Sequence, residues 1–284
     1  MCSPKVAKAV HDRVRAEGLP GVNRRDFLRL GGMTAALTAL SSVAVGRARA
    51  HGDEEHMQRV IDLSHVFGTT IPTYLPDEKP QREDFVTVEA NGFYIQRWTF
   101  TEHAGTHVDI PAHFIGGAAT VDAYPADLLV APGVVIDISA KTADTDDATL
   151  DVADIEAWEA ANGMIPEGAI VFAYSGWDAR WATPDAFRNA DADGVQHYPG
   201  FSAEAATFLV EQRSINGIGV DTLSLDVGAS STFDVHYIIL GAGKFGIEGV
   251  ANLSELLGKS ATIVVGLPRW EEGSGGPARV LALV

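Results

Sequence analysis

The chain is short of cysteine, of positive charge and of uninterrupted apolar runs, and each shortage removes a class of explanation. Its single cysteine, Cys2, can form no intramolecular disulfide and no thiolate metal cage. Among 284 residues, 21 Lys+Arg face 38 Asp+Glu, a net charge of -17. A surface this negative repels phosphate backbones and anionic headgroups, which argues against general nucleic-acid binding and electrostatic membrane adhesion. What the chain has is apolar material: 46% of its residues are hydrophobic, enough for one large or two small domains and too much for a disordered chain. Metal chemistry in such a protein falls to histidine and carboxylate.

The segment Asn23-Arg24-Arg25-Asp26-Phe27-Leu28-Arg29 precedes a mildly apolar run from Leu30 to Gly46, which ends in Ala48-Arg49-Ala50. It resembles a twin-arginine export signal with an A-x-A cleavage site. The run is brief and broken by Gly31, Gly32, Thr34, Thr38 and Ser41, which sets it apart from a membrane span. Residues 1–50 are therefore expected to be cleaved after passage through the twin-arginine machinery, with no stable membrane insertion afterwards. Residues 51–58 are expected to form a flexible acidic N-terminus carrying His51 and His56, and residues 59–284 the working domain, placed in the periplasm or outside the cell.

Loss of the first 50 residues removes nine basic and three acidic side chains, leaving 12 against 35, a net of -23. Self-repulsion of that size strains a compact fold in dilute buffer, whereas at about 1 M salt the screening length falls to roughly 3 Å. The balance therefore points to a protein adapted to high salt.

No repeat or long linker interrupts residues 57–284, so a single domain is expected. Strand-like runs rich in Val, Ile and aromatics occur at 60–63, 93–100, 134–138, 169–173, 218–220, 261–265 and 280–284. Helices are signalled from an Asp151 cap to Ala161, from a Ser202 cap to Gln212, and over Asn252 to Leu257. The interleaving predicts a mixed α/β domain.

Three of the mature part's eight histidines fall in His103-Ala104-Gly105-Thr106-His107-Val108-Asp109-Ile110-Pro111-Ala112-His113-Phe114. Gly105 and Pro111 argue against a continuous helix, and in an extended chain alternate residues share a face. The spacing thus predicts that His103, His107, Asp109 and His113 point one way, a donor set suited to Zn²⁺ or another divalent transition metal. On spacing alone, a structural metal remains an alternative to a catalytic one.

The pattern His-x-Gly-Thr-His-x-Asp-x-Pro-x-His-Phe resembles the signature of the cyclase family of metal-dependent hydrolases, which includes bacterial kynurenine formamidase and isatin hydrolase. Weaker matches follow in order, at Asp62-Leu63-Ser64-His65, Ser175-Gly176-Trp177, Tyr198-Pro199-Gly200, Gly219-Val220-Asp221-Thr222 and Gly276-Pro277-Ala278-Arg279. The resemblance implies a β/β/α swivelling-type mixed fold in a homodimer or higher oligomer. It implies a first metal on His103, His107 and Asp109, with Asp109 bridging to a second. His236 and Glu248, twelve residues apart and ahead of Asn252-Leu253, would complete that second site. Without the resemblance, His236 reads as a core histidine and Glu248 as a surface charge. His113 is implied to carry protons. Zinc is the first choice of metal and manganese the second.

The implied reaction is hydrolysis of a C-N amide bond in a small formamide or cyclic amide, by a metal-activated hydroxide. Tyr74 stands where kynurenine formamidases place a substrate-contacting aromatic, but Leu75-Pro76-Asp77 follows where Pro-Gly-Asp is common. Asp221 and Asp226 suit either orientation of ligands or closure of a turn. His65 and His197 receive no ligand role, and Trp177 and Trp181 read as core or rim aromatics. An exported metal- or ligand-binding protein without turnover is the alternative, and retention of His113 argues against it.

Overall fold

A computed structural model describes residues 59–284. The export segment, its cleavage site and the acidic N-terminus lie outside the described residues. Thirteen strands are described: β1 (Val60–Asp62), β2 (Gln81–Val86), β3 (Ile95–Thr99), β4 (His107–Asp109), β5 (Val130–Asp137), β6 (Thr149–Leu150), β7 (Ile170–Tyr174), β8 (Gly200–Phe201), β9 (Gly217–Val220), β10 (Phe245–Glu248), β11 (Ala261–Gly266), β12 (Gly275–Pro277) and β13 (Arg279–Leu283). The α-helices are α1 (Val88–Asn91), α2 (Val152–Asn162), α3 (Pro184–Arg188), α4 (Ala203–Arg213) and α5 (Asp234–Gly241).

Nine strands form one sheet in the order β1-β13-β11-β5-β7-β9-β10-β4-β12. Its centre, β5-β7-β9-β10, is parallel, with α2, α4 and α5 falling in the connections between successive strands. Both flanks are antiparallel. Strand alternation sorts the core into two layers. Val134 and Ile136 of β5, with Val171 and Ala173 of β7, pack against Ile155, Ala206, Leu209 and Ile239 of the helices. Val135, Ile170 and Phe172 point the other way and share a core with Ile61, Val108, Ile247, Ile263 and Val280. Residues from both flanks enter that second core, so the sheet curls around it.

The predicted strands all appear; those in the nine-stranded sheet supply Val and Ile to the two layers, whereas 93–100 forms β3 of a separate two-stranded sheet. The helix from Asp151 forms as expected: the Asp154 carboxylate accepts the Asp151 backbone N–H at 2.7 Å, and Lys141 Nζ reaches Asp151 at 2.9 Å and Asp154 at 2.5 Å. Ser202 Oγ accepts the Ala205 N–H at 3.2 Å, a cap worth about 1 kcal/mol. At 252–257 an α-helix was expected, and a single 3-10 turn, Leu253–Leu256, is found. Leu253 and Leu256 are both buried, and residues three apart are eclipsed only in the tighter helix.

Residues 82–98 form a small compact unit of their own, described separately from 58–81 and 99–284. Strands β2 and β3 pair, and the Arg97 guanidinium lies 4.2 Å from the Phe85 ring while bonding Glu83 at 2.6 Å.

Candidate metal centre and active site

Residues 103–113 do not form the continuous extended run that would aim all four side chains by alternation. His107–Asp109 is a strand, but a bend at Gly105, with φ +73°, separates it from His103, and His113 closes a 3-10 turn begun at Pro111. Proline enforces that turn by fixing its own φ. A Cβ at Gly105 would stand 2.8 Å from the Phe67 ring, so glycine is required for space as well as for conformation. Convergence thus comes from two turns flanking a three-residue strand.

Sheet register supplies the distant partners. Strand β10 pairs antiparallel with β4, which sets Glu248 directly opposite His107. Asp109 faces Gly246 on one side and Gly275 on the other, so neither neighbouring strand fills the space beside its carboxylate. His236 arrives on α5, whose first N–H groups donate to Asp226: Val235 N at 2.9 Å and His236 N at 3.2 Å.

The five candidate ligands come together. His107 Nε2 lies 3.4 Å from Asp109 Oδ1 and 3.3 Å from Glu248 Oε2, while His236 Nε2 lies 3.4 Å from Asp109 Oδ2 and 3.1 Å from Glu248 Oε1. His103 Nδ1 is 2.7 Å from Asp109 Oδ1. Two sets of three donors, His103-Asp109-His113 and His107-Asp109-Glu248, each cluster within 4.8 Å, and Asp109 belongs to both. Asp109, His107, His236 and Glu248 are all at most 5% exposed.

The other ring nitrogens are anchored. His107 Nδ1 lies 2.9 Å from the Gly105 carbonyl and His236 Nδ1 2.6 Å from Asp226 Oδ2. Each acceptor holds the proton on Nδ1 and leaves the Nε2 lone pair facing the two carboxylates. Asp226 is thus an orienting residue and a helix cap. Asp221 touches no candidate ligand and instead accepts from Ser175 N, Ser175 Oγ and Trp177 N.

The cluster fits a divalent cation. Asp109 Oδ2 is fully buried with no hydrogen-bond partner among the described residues; His236 Nε2 faces it only at ion-pair distance. Four of the N···O separations, 3.1–3.4 Å, match the edge of a tetrahedron whose metal bonds are about 2.0–2.1 Å, an edge of about 3.3 Å. Electrostatics agree. Burial works against a charge on His107, but Asp109 and Glu248 override it and raise the imidazole to about 10. His236 is likewise driven well up against its burial by Asp109, Asp226 and Glu248. Although burial disfavours its charge, Asp109 is held well below the usual carboxylate range by His103, His107 and His236. The pocket attracts positive charge.

His113 stacks on His103 with ring centroids 3.7 Å apart, and neither of its ring nitrogens bonds a described residue. Burial pushes its imidazole down to about 4. A cavity of about 300 Å³ opens over the cluster, walled by Pro72, Tyr74, Phe114, Leu223 and Phe233. A cavity of about 360 Å³ beside His65, Phe67 and Arg279 holds none of the candidate ligands. His65 stacks on Trp181 at 3.8 Å, His197 bonds Asp147 at 2.7 Å, and Trp177 is buried in the core.

The Cyclase family model, "Putative cyclase", matches residues 61–227, more than half of the chain. The chain belongs to the cyclase family. This cyclase-family hydrolase is 33% identical to the isatin hydrolase of Roseibium aggregatum over 242 residues, 79% of this chain and 91% of that protein. It is 29% identical to the kynurenine formamidase of Maricaulis maris over 184 residues, 64% of this chain and 78% of that one. The solved structure of isatin hydrolase A from Ralstonia solanacearum superposes with a TM-score of 0.76 at 33% identity, covering 90% of this chain and 97% of that one. The expected mixed α/β family fold is thus found.

Residues that sequence reasoning passed over also shape this cyclase-family site. Phe114 lies 4.6 Å from the His236 ring and 5.7 Å from Phe233, building the aromatic wall. Phe114 ends the signature and was legible as part of it, whereas nothing in the sequence pairs it with Phe233.

Proposed function

We propose that the protein hydrolyses a C-N amide bond in a small aromatic substrate, a cyclic amide of the isatin type or an aryl formamide, on a site that holds divalent metal. The observation that carries this reading is the buried, unpartnered oxygen of Asp109 ringed by imidazoles, beneath an aromatic-walled cavity with His113 beside it. His103, His107, Asp109, His236 and Glu248 would hold the metal, zinc first and manganese second, with donors enough for two ions. A divalent ion bound there supplies positive charge that polarises a carbonyl and lowers the pKa of water from about 15.7 towards about 7.

The chain's own residues supply the rest. Tyr74, Phe114 and Phe233 line the cavity with aromatic rings, a lining that suits a planar aromatic substrate. His113, neither of whose ring nitrogens bonds a described residue, takes a proton from the attacking water and returns it to the departing nitrogen. Water oxygen bonds to the carbonyl carbon, the C-N bond breaks with its electron pair going to nitrogen, and the products are an acid and an amine. A ring-closed substrate opens to a single product carrying both groups.

Isatin is the first substrate to try, because the similarity to isatin hydrolase spans 91% of that protein against 78% of the formamidase. The zinc- or manganese-loaded enzyme should open isatin or release formate from an aryl formamide. Bound metal without turnover on any aryl formamide, isatin or small lactam would instead make it a binding protein. Passage through the twin-arginine machinery, an oligomeric state and adaptation to salt belong to the same proposal, resting on the Arg24-Arg25 segment, the family resemblance and the acidic balance.

A further inference from the structure

Two of the three anchored imidazoles have obvious partners, a carbonyl for His107 and a carboxylate for His236. His103 is held differently. Its Nε2 lies 2.9 Å from Ser274 Oγ, and that hydroxyl donates to Glu102 Oε2 at 2.6 Å. The same carboxylate oxygen accepts the Ser274 backbone N–H at 3.2 Å. A serine hydroxyl has one proton, and a carboxylate can only accept. With that proton committed to Glu102, Ser274 Oγ can meet His103 Nε2 only as an acceptor, so Nε2 carries the ring proton. In the neutral ring the Nδ1 lone pair is then left facing Asp109 Oδ1 at 2.7 Å, a contact that only a proton or a metal cation can bridge. Two lone pairs at that distance repel unless a positive charge lies with them.

We propose that Glu102 and Ser274 form a two-residue relay that fixes the tautomer of His103, making Nδ1 its ligating nitrogen. The relay is a carboxylate–imidazole–metal arrangement with a hydroxyl inserted between carboxylate and ring. It rests on the metal-site reading above, and it names positioning residues, neither of which touches substrate.

The backbone is built to hold it. Ser274 precedes β12, whose Gly275 pairs with Asp109, and the Ser274 carbonyl accepts the Ile110 N–H at 3.0 Å, so its place relative to β4 is fixed by sheet register. A Cβ at Gly275 would come within 2.6 Å of His103 Cε1. The chain there leaves room for the imidazole to lie flat between Ser274 and Asp109.

The test measures Zn²⁺ and Mn²⁺ affinity of the metal-stripped full chain by titration calorimetry, alongside its metal-free Tm. Ser274→Ala and Glu102→Gln should each weaken affinity by about 10–100-fold, with the metal-free Tm unchanged. Ser274→Thr, which keeps the hydroxyl, should restore binding towards that of the parent protein. Unchanged affinity in Ser274→Ala and Glu102→Gln overturns the relay while leaving the metal site standing. Equal weakening in Ser274→Ala and Ser274→Thr also overturns it, because the hydroxyl would then be irrelevant. If the parent protein binds neither metal, the metal reading fails instead, and the relay with it.

Discussion

The site is assembled from two segments that achieve the same end differently. Between His103 and His113 the chain supplies four metal-type side chains within eleven residues, and local turns at Gly105 and Pro111 aim them. Between His236 and Glu248 it supplies only two, on different elements: a helix whose first N–H groups sit on Asp226, and a strand whose register against β4 puts Glu248 opposite His107. The first segment carries its geometry in its own backbone. The second borrows its geometry from a carboxylate ten residues upstream and from strand pairing across the sheet.

Asp109 is the residue where the two halves meet, so breaking it should have the largest effect. Asp109→Ala is expected to lose metal and turnover together, read by metal analysis and initial rates; retention of metal would show that the distal pair suffices alone. His113→Ala touches the local segment without touching a proposed ligand bridge. It should lower kcat by about 10²–10⁴-fold and leave metal content unchanged; equal metal loss would remove its proton-carrying role. Glu248→Gln attacks only the distal half. It should reduce the bound metal from two ions to one per chain, measured by elemental analysis on the purified protein.

Asp226→Asn is the finer test of how the distal half is held. Removing the charge that orients His236 and caps α5 should weaken metal affinity by about 10–100-fold and cost about 0.5–2 kcal/mol in unfolding experiments. No comparable substitution exists for His107, because its Nδ1 partner is the Gly105 carbonyl. The smallest effect per residue concerns the acids that hold no metal. Ion pairs occupy most of the basic side chains among the described residues, including Arg97, Lys141, Arg180, Arg213 and Arg279, which leaves a carboxylate excess at the surface. Tm should rise as salt is raised towards about 1 M, where screening reaches roughly 3 Å. A Tm independent of salt would detach the acidic balance from any saline habitat.

Legibility followed the same division. The strands at 130–137 and 261–266 and the capped helices from Asp151 and Ser202 were readable because their signals are local. Helix α5 was not: Val235 to Leu240 is a short, mostly apolar run that periodicity cannot assign to helix or strand. Strand β12 was invisible because Gly-Gly-Pro has almost no side-chain pattern. In the site, His236 and Glu248 were found only by resemblance, since their own neighbourhoods read as core and surface.

By itself, the sequence determined the donor types, the excess of acid over base, the absence of a continuous helix over 103–113 and the family. These depend on composition and on neighbours within a few residues. For His107 the Gly105 carbonyl, two residues away, settles which nitrogen is left free, but for His236 and His103 only the tertiary structure decided it. That choice belongs to the acceptor on the far side of the ring, and for His103 the acceptor is a serine 171 residues away, itself turned by Glu102. Hydrogen bonds act over about 3 Å, so residues this distant in the chain are paired by strand register and helix placement, not by sequence spacing.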